Sequence, residues 1–427
     1  MRLKYLIHLS LIAICGLLAT FLPEVPQTKV GGPINTGDTA WLLTASGLVL
    51  LMTPGLSFFY GGMVRKKNII STMLQSMVAL GVISVLWVAV GFSLCFGDSI
   101  GGIIGNPATF FMYRGVGMFT HPDFAPTIPF ALFSLFQLKF AIITPALVTG
   151  AFAERVKFSS YLLFMALFCL FIYAPLAHMT WHPDGLLRNW GVLDFAGGTV
   201  VHISAGMAAL AGSIYLGPRK DIKHDACHIP YVILGTGLLW FGWFGFNAGS
   251  SLAANETATL AFMNTNTASA VAMLTWMFLE RLRGNKASAL GACIGAVVGL
   301  VAITPGAGFV SIGAAILIGF ITSIVSNCAL ALKAKTEIDD TLDVFPCHGL
   351  GGIVGMILTA VFAKDVGLIY GETKTFIYHI LALVLVMVFG FVMSYGLYVI
   401  CNFIQPMRVT QEEEDLGLDQ SQHGERV

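Results

Sequence analysis

Charge is scarce in this chain of 427 residues: Asp, Glu, Lys and Arg make up only 11% of it, against roughly 25% in an ordinary globular domain. So few charges cannot cover the surface of a soluble fold of this length. Those present balance, 23 basic against 23 acidic, which excludes nucleic-acid binding through a basic surface. An apolar share of 56% excludes intrinsic disorder. The eight cysteines have no paired spacing and no CxxC; all but Cys227 lie in apolar runs. They read as small buried hydrophobes rather than as a disulfide, redox or zinc framework. What remains is an all-α integral membrane protein. The 47 glycines suit it, because small residues let helix backbones approach closely in lipid.

Residues 1–22, MRLKYLIHLSLIAICGLLATFL, have the grammar of a signal peptide: Arg2 and Lys4, then a short apolar run. No clear A-x-A cleavage site follows, so a retained first helix is the alternative, and removal is the expectation. Beyond it, apolar segments of about the ~20 residues a spanning helix needs fall near 39–62, 71–97, 128–152, 159–179, 197–217, 229–249, 257–279, 287–304, 309–332, 346–363 and 375–404. This predicts eleven transmembrane helices over 39–404 and a polar tail at 405–427. Fifteen basic residues lie in alternate connections and the tail, among them Arg65, Lys66, Lys67, Arg155, Lys157, Arg219 and Lys220. The other side holds only Lys29, Arg114, Arg188, Lys364 and Lys374. The bias puts the mature N-terminus outside and the C-terminus inside. An odd number of spans requires the same. The expected location of the multi-pass chain is the cytoplasmic (inner) membrane.

Helices one to five and six to ten form two blocks of five, the arrangement of inverted repeats, with the eleventh helix left over. The last helix of each block carries a His-x-x-x-Gly, His202 with Gly206 and His348 with Gly352. A charged residue inside a spanning helix costs about 3 kcal/mol, so each ionisable one is a candidate for function. His202 and His348 match across the blocks, and an imidazole pair can conduct protons. The plain alternative is two unrelated buried histidines on backbone carbonyls. A metal would need a third ligand, and Cys347 would point elsewhere on the helix. His379, in the last helix without a counterpart, reads as a structural histidine. Phe136 and Phe140 share a helix face, Trp181 lies just beyond the fourth helix, and Trp243, Phe244 and Phe246 crowd the sixth. They can form an interfacial aromatic belt or a cage for a small cation.

At these residues the sequence resembles the ammonium transporter (Amt/Mep/Rh) family, on the Amt branch. The stretches that carry the resemblance are DFAGGTVVHISAGMAALAGSIYLGPR (194–219), PGLSFFYGGMVRKKN (54–68), FQLKFAIITPALVTGAFAER (136–155), AHMTW (177–181), GWFGFNAGS (242–250), DVFPCHG (343–349) and RVTQEEEDLGLDQSQHGE (408–425). They run in collinear order over nearly all of the chain after the leader. The resemblance implies a homotrimer with a narrow pore through each subunit. It implies an outer ammonium site of Phe136, Phe140, Trp181 and Ser250, and a gate of Phe140 over Phe246. His202 and His348 would be the twin pore histidines, and Asp194 an essential acidic residue near the outer mouth. Asp194 suits the start of the fifth helix, since a carboxylate favours a helix N-terminus. A cytoplasmic PII-type signalling protein would dock on inner loops that include Arg155, Lys157, Arg219 and Lys220, with the tail coupling subunits. Methylammonium would serve as an analogue of the substrate. No cofactor, metal or nucleic acid is implied.

One residue departs from the pattern. Lys139 stands between Phe136 and Phe140, where family members usually carry an uncharged residue. A charged lysine lining the outer site would repel ammonium, which keeps an ammonium sensor acting through a partner as the alternative to transport. A membrane enzyme lacks any nucleophile–base set, and an Rh-type ammonia or carbon dioxide pore fits Trp181 and GWFGFNAGS less well. The chemistry of the expected reading is coherent. Ammonium resembles potassium in charge and size but can shed a proton, and neutral ammonia crosses an apolar pore without the penalty a cation pays.

Overall fold

The computed structural model describes residues 2–23, 25–222 and 225–427, with side chains from residue 9 onward. An N-terminal helix, Arg2–Phe21, comes first. The main body consists of α1 (Thr36–Met63), α2 (Lys66–Phe96), α3 (Phe130–Phe152), α4 (Phe158–Asn189), α5 (Gly198–Leu216) and α6 (Ile229–Gly249), then α7 (Glu256–Leu282) and α8 (Ala289–Ile303), then α9 (Ile312–Lys333), α10 (Phe345–Phe362) and α11 (Thr373–Ile404). A helix thus covers each of the apolar segments read from the sequence. Among the described residues nine helices, all of the main body but α7 and α8, are long and apolar enough to cross a membrane. The chain is a multi-pass helical membrane protein.

The two exceptions explain one another. α8 has only 15 residues, because the chain turns over 304–310, where Pro305 has no N–H to offer a helix. α7 is long but carries buried Asn264, Thr265, Ser269 and Thr275. Asn264 Nδ2 donates to the carbonyl oxygens of Ala307 and Val310 at 2.9 and 2.8 Å. The polarity that lowers the hydropathy of α7 satisfies the backbone that the early end of α8 leaves open, as a non-aqueous interior demands.

Helices pack through small residues. On α6, a Cβ at Gly235 would lie 2.3 Å from the backbone nitrogen of Phe59 on α1. The same device joins α5 to α10. Both open in a π-helical turn, Gly198–Ile203 and Phe345–Gly349, and each turn contains a histidine. A Cβ on Gly206 would lie 2.2 Å from Gly349 Cα, and one on Gly352 would lie 2.9 Å from Ile203 Cγ1. The two His-x-x-x-Gly motifs are therefore one crossing point, where the helices touch backbone to backbone.

The tail folds against one face of the bundle, called here the tail face. Two short helices, α12 (Gln411–Leu416) and α13 (Leu418–His423), follow a capping box of Thr410 and Glu413. Lys220 N–H donates to Glu414 Oε1 at 2.8 Å, Ser71 N–H to Asp419 Oδ1 at 2.8 Å and Leu418 N–H to Asn68 Oδ1 at 2.8 Å. Beneath lies a buried ionic cluster. Arg219 pairs with Glu154 and Asp339, each at 2.8 Å, and Arg155 reaches Asp339 at 3.7 Å. This corrects part of the expected docking surface. Arg155 and Arg219 are 0% and 4% exposed and cannot meet a protein partner, because their charges are spent inside the fold. Lys220 stays at the surface, paired with Asp415 at 2.8 Å.

The Gly206 contact can be tested directly. Gly206→Ala forces α5 and α10 apart at the histidines, and overpacking of this kind costs about 1–3 kcal/mol. Thermal unfolding in detergent should show that loss, with substrate flux reduced in parallel. An alanine variant as stable and active as wild type would refute the close approach.

Candidate functional site

Opposite the tail face, a pocket of about 310 Å³ is lined by Gln137, Phe140, Trp181, Arg188, Asp194 and Ser250, among others. Phe140 and Trp181 meet edge to face at 5.9 Å between ring centroids. The Trp181 indole N–H donates to the Asp194 carbonyl at 3.1 Å, which fixes the ring plane. Ser250 Oγ–H donates to Phe246 O at 2.8 Å, so its lone pairs remain free for a donor. Phe136 stands apart from this group. It is fully buried, packs against Phe140 at 5.0 Å and is absent from the lining. It backs the pocket wall rather than forming it, because Gly249 lies against its ring, where a Cβ would come within 2.8 Å of Phe136 Cε2. Lys139 is 7% exposed and also lies outside the lining, since it projects from another side of α3.

The pocket floor is the pair Phe140 and Phe246, with centroids 4.2 Å apart and planes inclined by 31°. Beneath it runs a narrow space of about 10 Å³, lined by Leu56, Ile143, Val201, Trp243, Phe246 and other apolar side chains, with His202 and His348. That volume is close to the minimum for a single water-sized molecule. His202 and His348 approach through their Nδ1 atoms at 3.4 Å, with ring centroids 5.4 Å apart. Trp243 stacks on His202 at 5.4 Å and 21°.

The bonding around the pair sets its tautomers. Thr304 Oγ–H donates to Leu300 O at 2.8 Å, so that hydroxyl can only accept from other groups. It accepts from Trp243 Nε1–H at 2.9 Å and lies 3.3 Å from His202 Nε2. His202 therefore carries its proton on Nε2, and its bare Nδ1 accepts from His348 Nδ1–H. The free lone pair of the coupled rings is His348 Nε2.

Two buried carboxylates hold the histidines in place. Asp194 Oδ1 accepts from Gly197 and Gly198 N–H at 2.8 and 2.7 Å, and Oδ2 from Thr199 N–H at 2.7 Å. These are the orphan donors at the start of α5. Asp340 does the same for α10, accepting from Val344 and Phe345 N–H at 3.0 and 2.7 Å. Burial pushes its carboxyl up to about 6. Each aspartate precedes its histidine by the same interval, Asp194 to His202 and Asp340 to His348. Sequence reasoning named Asp194 and missed Asp340, although that repeated spacing was there to be read. Thr304 and Trp243 as a donor were also missed, and nothing local in the sequence marks their roles.

The fold and this site define a helical membrane protein with an apolar conduit beneath an aromatic pocket. The chain belongs to the ammonium transporter family: the sequence model described as Ammonium Transporter Family matches residues 40–427. An ammonium transporter of Aquifex aeolicus is 45% identical over 401 residues, covering 92% of this chain and 94% of its own. The crystal structure of Saccharomyces cerevisiae Mep2 superposes with a TM-score of 0.84 at 33% identity, over 89% of this chain and 88% of that one. A structure described as a sensor Amt protein matches with the same TM-score at 31% identity, over 91% and 98%.

Thr304→Val tests the tautomer assignment. It leaves Trp243 Nε1–H and His202 Nε2–H without an acceptor, at about 1–3 kcal/mol for each buried donor. Thermal unfolding should record the loss, and nitrogen-15 shifts of the imidazoles should show His202 released from a single tautomer. Unchanged stability with unchanged shifts would remove Thr304 from the network.

Proposed function

We propose that the protein takes up ammonium across the cytoplasmic membrane. The observation that carries this reading is the stacking order along the conduit: an aromatic pocket, a phenylalanine floor, then an apolar passage interrupted only by a hydrogen-bonded histidine pair. Ammonium is recruited at the outer pocket by the ring faces of Phe140 and Trp181 and by the Ser250 hydroxyl, with Phe136 behind them. A cation over an aromatic face gains about 0.5–2 kcal/mol. The apolar passage excludes the cation and admits ammonia. The released proton travels by way of His202 and His348. Because His202 Nε2 is engaged, each transfer requires both rings to exchange tautomers and then reset.

The topology follows from the same reading. α1 to α11 make eleven crossings, α1–α5 and α6–α10 forming inverted repeats, with the tail face in the cytoplasm. Residues 1–22 are a cleaved leader. The working unit is a homotrimer, and a PII-type protein docks at the tail face on Lys157, Lys220 and the tail itself. Transport is favoured over sensing for two reasons. Sensor and Mep2 structures match equally well in fold, so fold does not separate the two readings, whereas identity rises to 45% with a relative named as a transporter. Lys139 also stays out of the pocket lining, so its charge does not face the incoming cation.

Two measurements in proteoliposomes test this. Trp181→Leu should raise the half-saturating concentration of ammonium and methylammonium and weaken discrimination between them, with the protein still folded; an unchanged concentration dependence counts against the aromatic site. In His202→Ala/His348→Ala the current should fall even where ammonia still leaks. A folded double variant that carries wild-type current, with selectivity over potassium intact, would make the pair structural and the relay wrong.

A further inference from the structure

The corner that joins the pocket to the conduit is a single stretch of backbone, Leu193 to Phe195. Four of its polar groups are each tied to a different part of the fold. The Asp194 carboxylate caps α5, and the Asp194 carbonyl accepts from Trp181. Phe195 N–H donates to Pro305 O at 3.0 Å, next in sequence to Thr304, which bonds His202. Leu193 N–H donates to His379 Nε2 at 2.9 Å. His379 is fully buried on α11, and its other nitrogen reaches Met356 O on α10 at 3.1 Å. Since Nε2 accepts, Nδ1 must carry the proton and donate to Met356. Met356 in turn packs on the first turn of α5, where a Cβ at Gly198 would lie 3.2 Å from its sulfur.

We propose that His379 is a positioning residue for substrate recruitment. It locks the 193–195 corner against α10 and so sets the plane of Trp181 and the seat of the Asp194 cap together. It touches neither the pocket nor the conduit, being absent from both linings. It acts as a two-ended clamp with a fixed span: a donor at Nδ1 for one helix and an acceptor at Nε2 for the corner. A neutral imidazole does this without burying a charge. The inference rests on the reading of Phe140 and Trp181 as the recruitment site.

The two ends can be separated by substitution. A glutamine places its Oε1 near the position of Nε2 and keeps the bond to Leu193. An asparagine reaches only the position of Nδ1, keeps Met356 and loses Leu193. Both remain polar, so the comparison does not depend on His379→Leu folding. The measurements are amide hydrogen exchange over the peptide containing Leu193 and the half-saturating ammonium concentration in proteoliposomes. His379→Asn and His379→Leu should exchange faster at the corner and raise half-saturation about five- to tenfold, the size of one lost hydrogen bond. The maximal rate should change less, and His379→Gln should stay near wild type in both.

Unchanged exchange in folded His379→Asn overturns the proposal, as does a His379→Gln variant indistinguishable from His379→Leu. Faster exchange with unchanged half-saturation also overturns it. In that case Trp181→Leu, run alongside, separates the causes: an effect there confines the failure to His379, whereas a silent Trp181→Leu removes the recruitment reading as well.

Discussion

A helix that starts inside a membrane protein leaves backbone N–H groups with no water to receive them, and each would cost several kcal/mol. The architecture of this conduit depends on that constraint. α5 and α10 both begin in the interior, and each begins at a buried carboxylate, Asp194 or Asp340, that collects two or three of the orphan donors. Without those caps the first turns would unwind toward any acceptor within reach, and the histidines they carry would lose their register. The π-helical geometry of both turns belongs to the same solution. It widens one turn so that His202 and His348 face one another while the following glycines let the helices cross.

The pairing of caps has a counterpart in how the other interior breaks are closed. Asn264 serves the turn after α8, His379 serves the corner before α5, and Thr304 serves both Trp243 and His202. Each is a neutral side chain placed where a charged one would be costly to bury. At the tail face Glu154, Arg155, Arg219 and Asp339 form a buried ionic cluster. Breaking such a buried pair on one side typically costs about 3–5 kcal/mol. The loops that close the tail side of α3, α5 and α9 are therefore held by one another, and the tail helices seat over them.

Much of this was legible in the sequence. Sparse charge and long apolar runs located the helices to within a few residues, and the matched His-x-x-x-Gly motifs located the crossing of α5 and α10. The misses have a common physical origin. Arg155 and Arg219 look like surface charges in a list of loop residues, because sequence does not show that Glu154 and Asp339 fold onto them. Phe136 shares a helix face with Phe140, yet one turn of α3 is enough to put it behind the wall that Phe140 forms. What the sequence did not show at α7 and α8 is that the polar side chains of the one serve the early end of the other. Asp340 was the avoidable miss, because its interval to His348 repeats that of Asp194 to His202.

The tautomer chain constrains how the conduit can work. Thr304 spends its own proton on Leu300, so it holds His202 in one protonation pattern, and His202 then dictates that of His348. At rest the pair presents a single bare nitrogen, His348 Nε2, at one end and a satisfied N–H at the other. On the relay proposed above, a proton would pass only by inverting both rings against the hold of Thr304, and the pair would then be reset before the next one follows. Charge transfer through the pair, on that reading, is stepwise and tied to the hydrogen-bonding of one threonine. The narrow space beneath Phe246 is lined by apolar side chains and the two histidines, with no carboxylate among them to replace a cation's water.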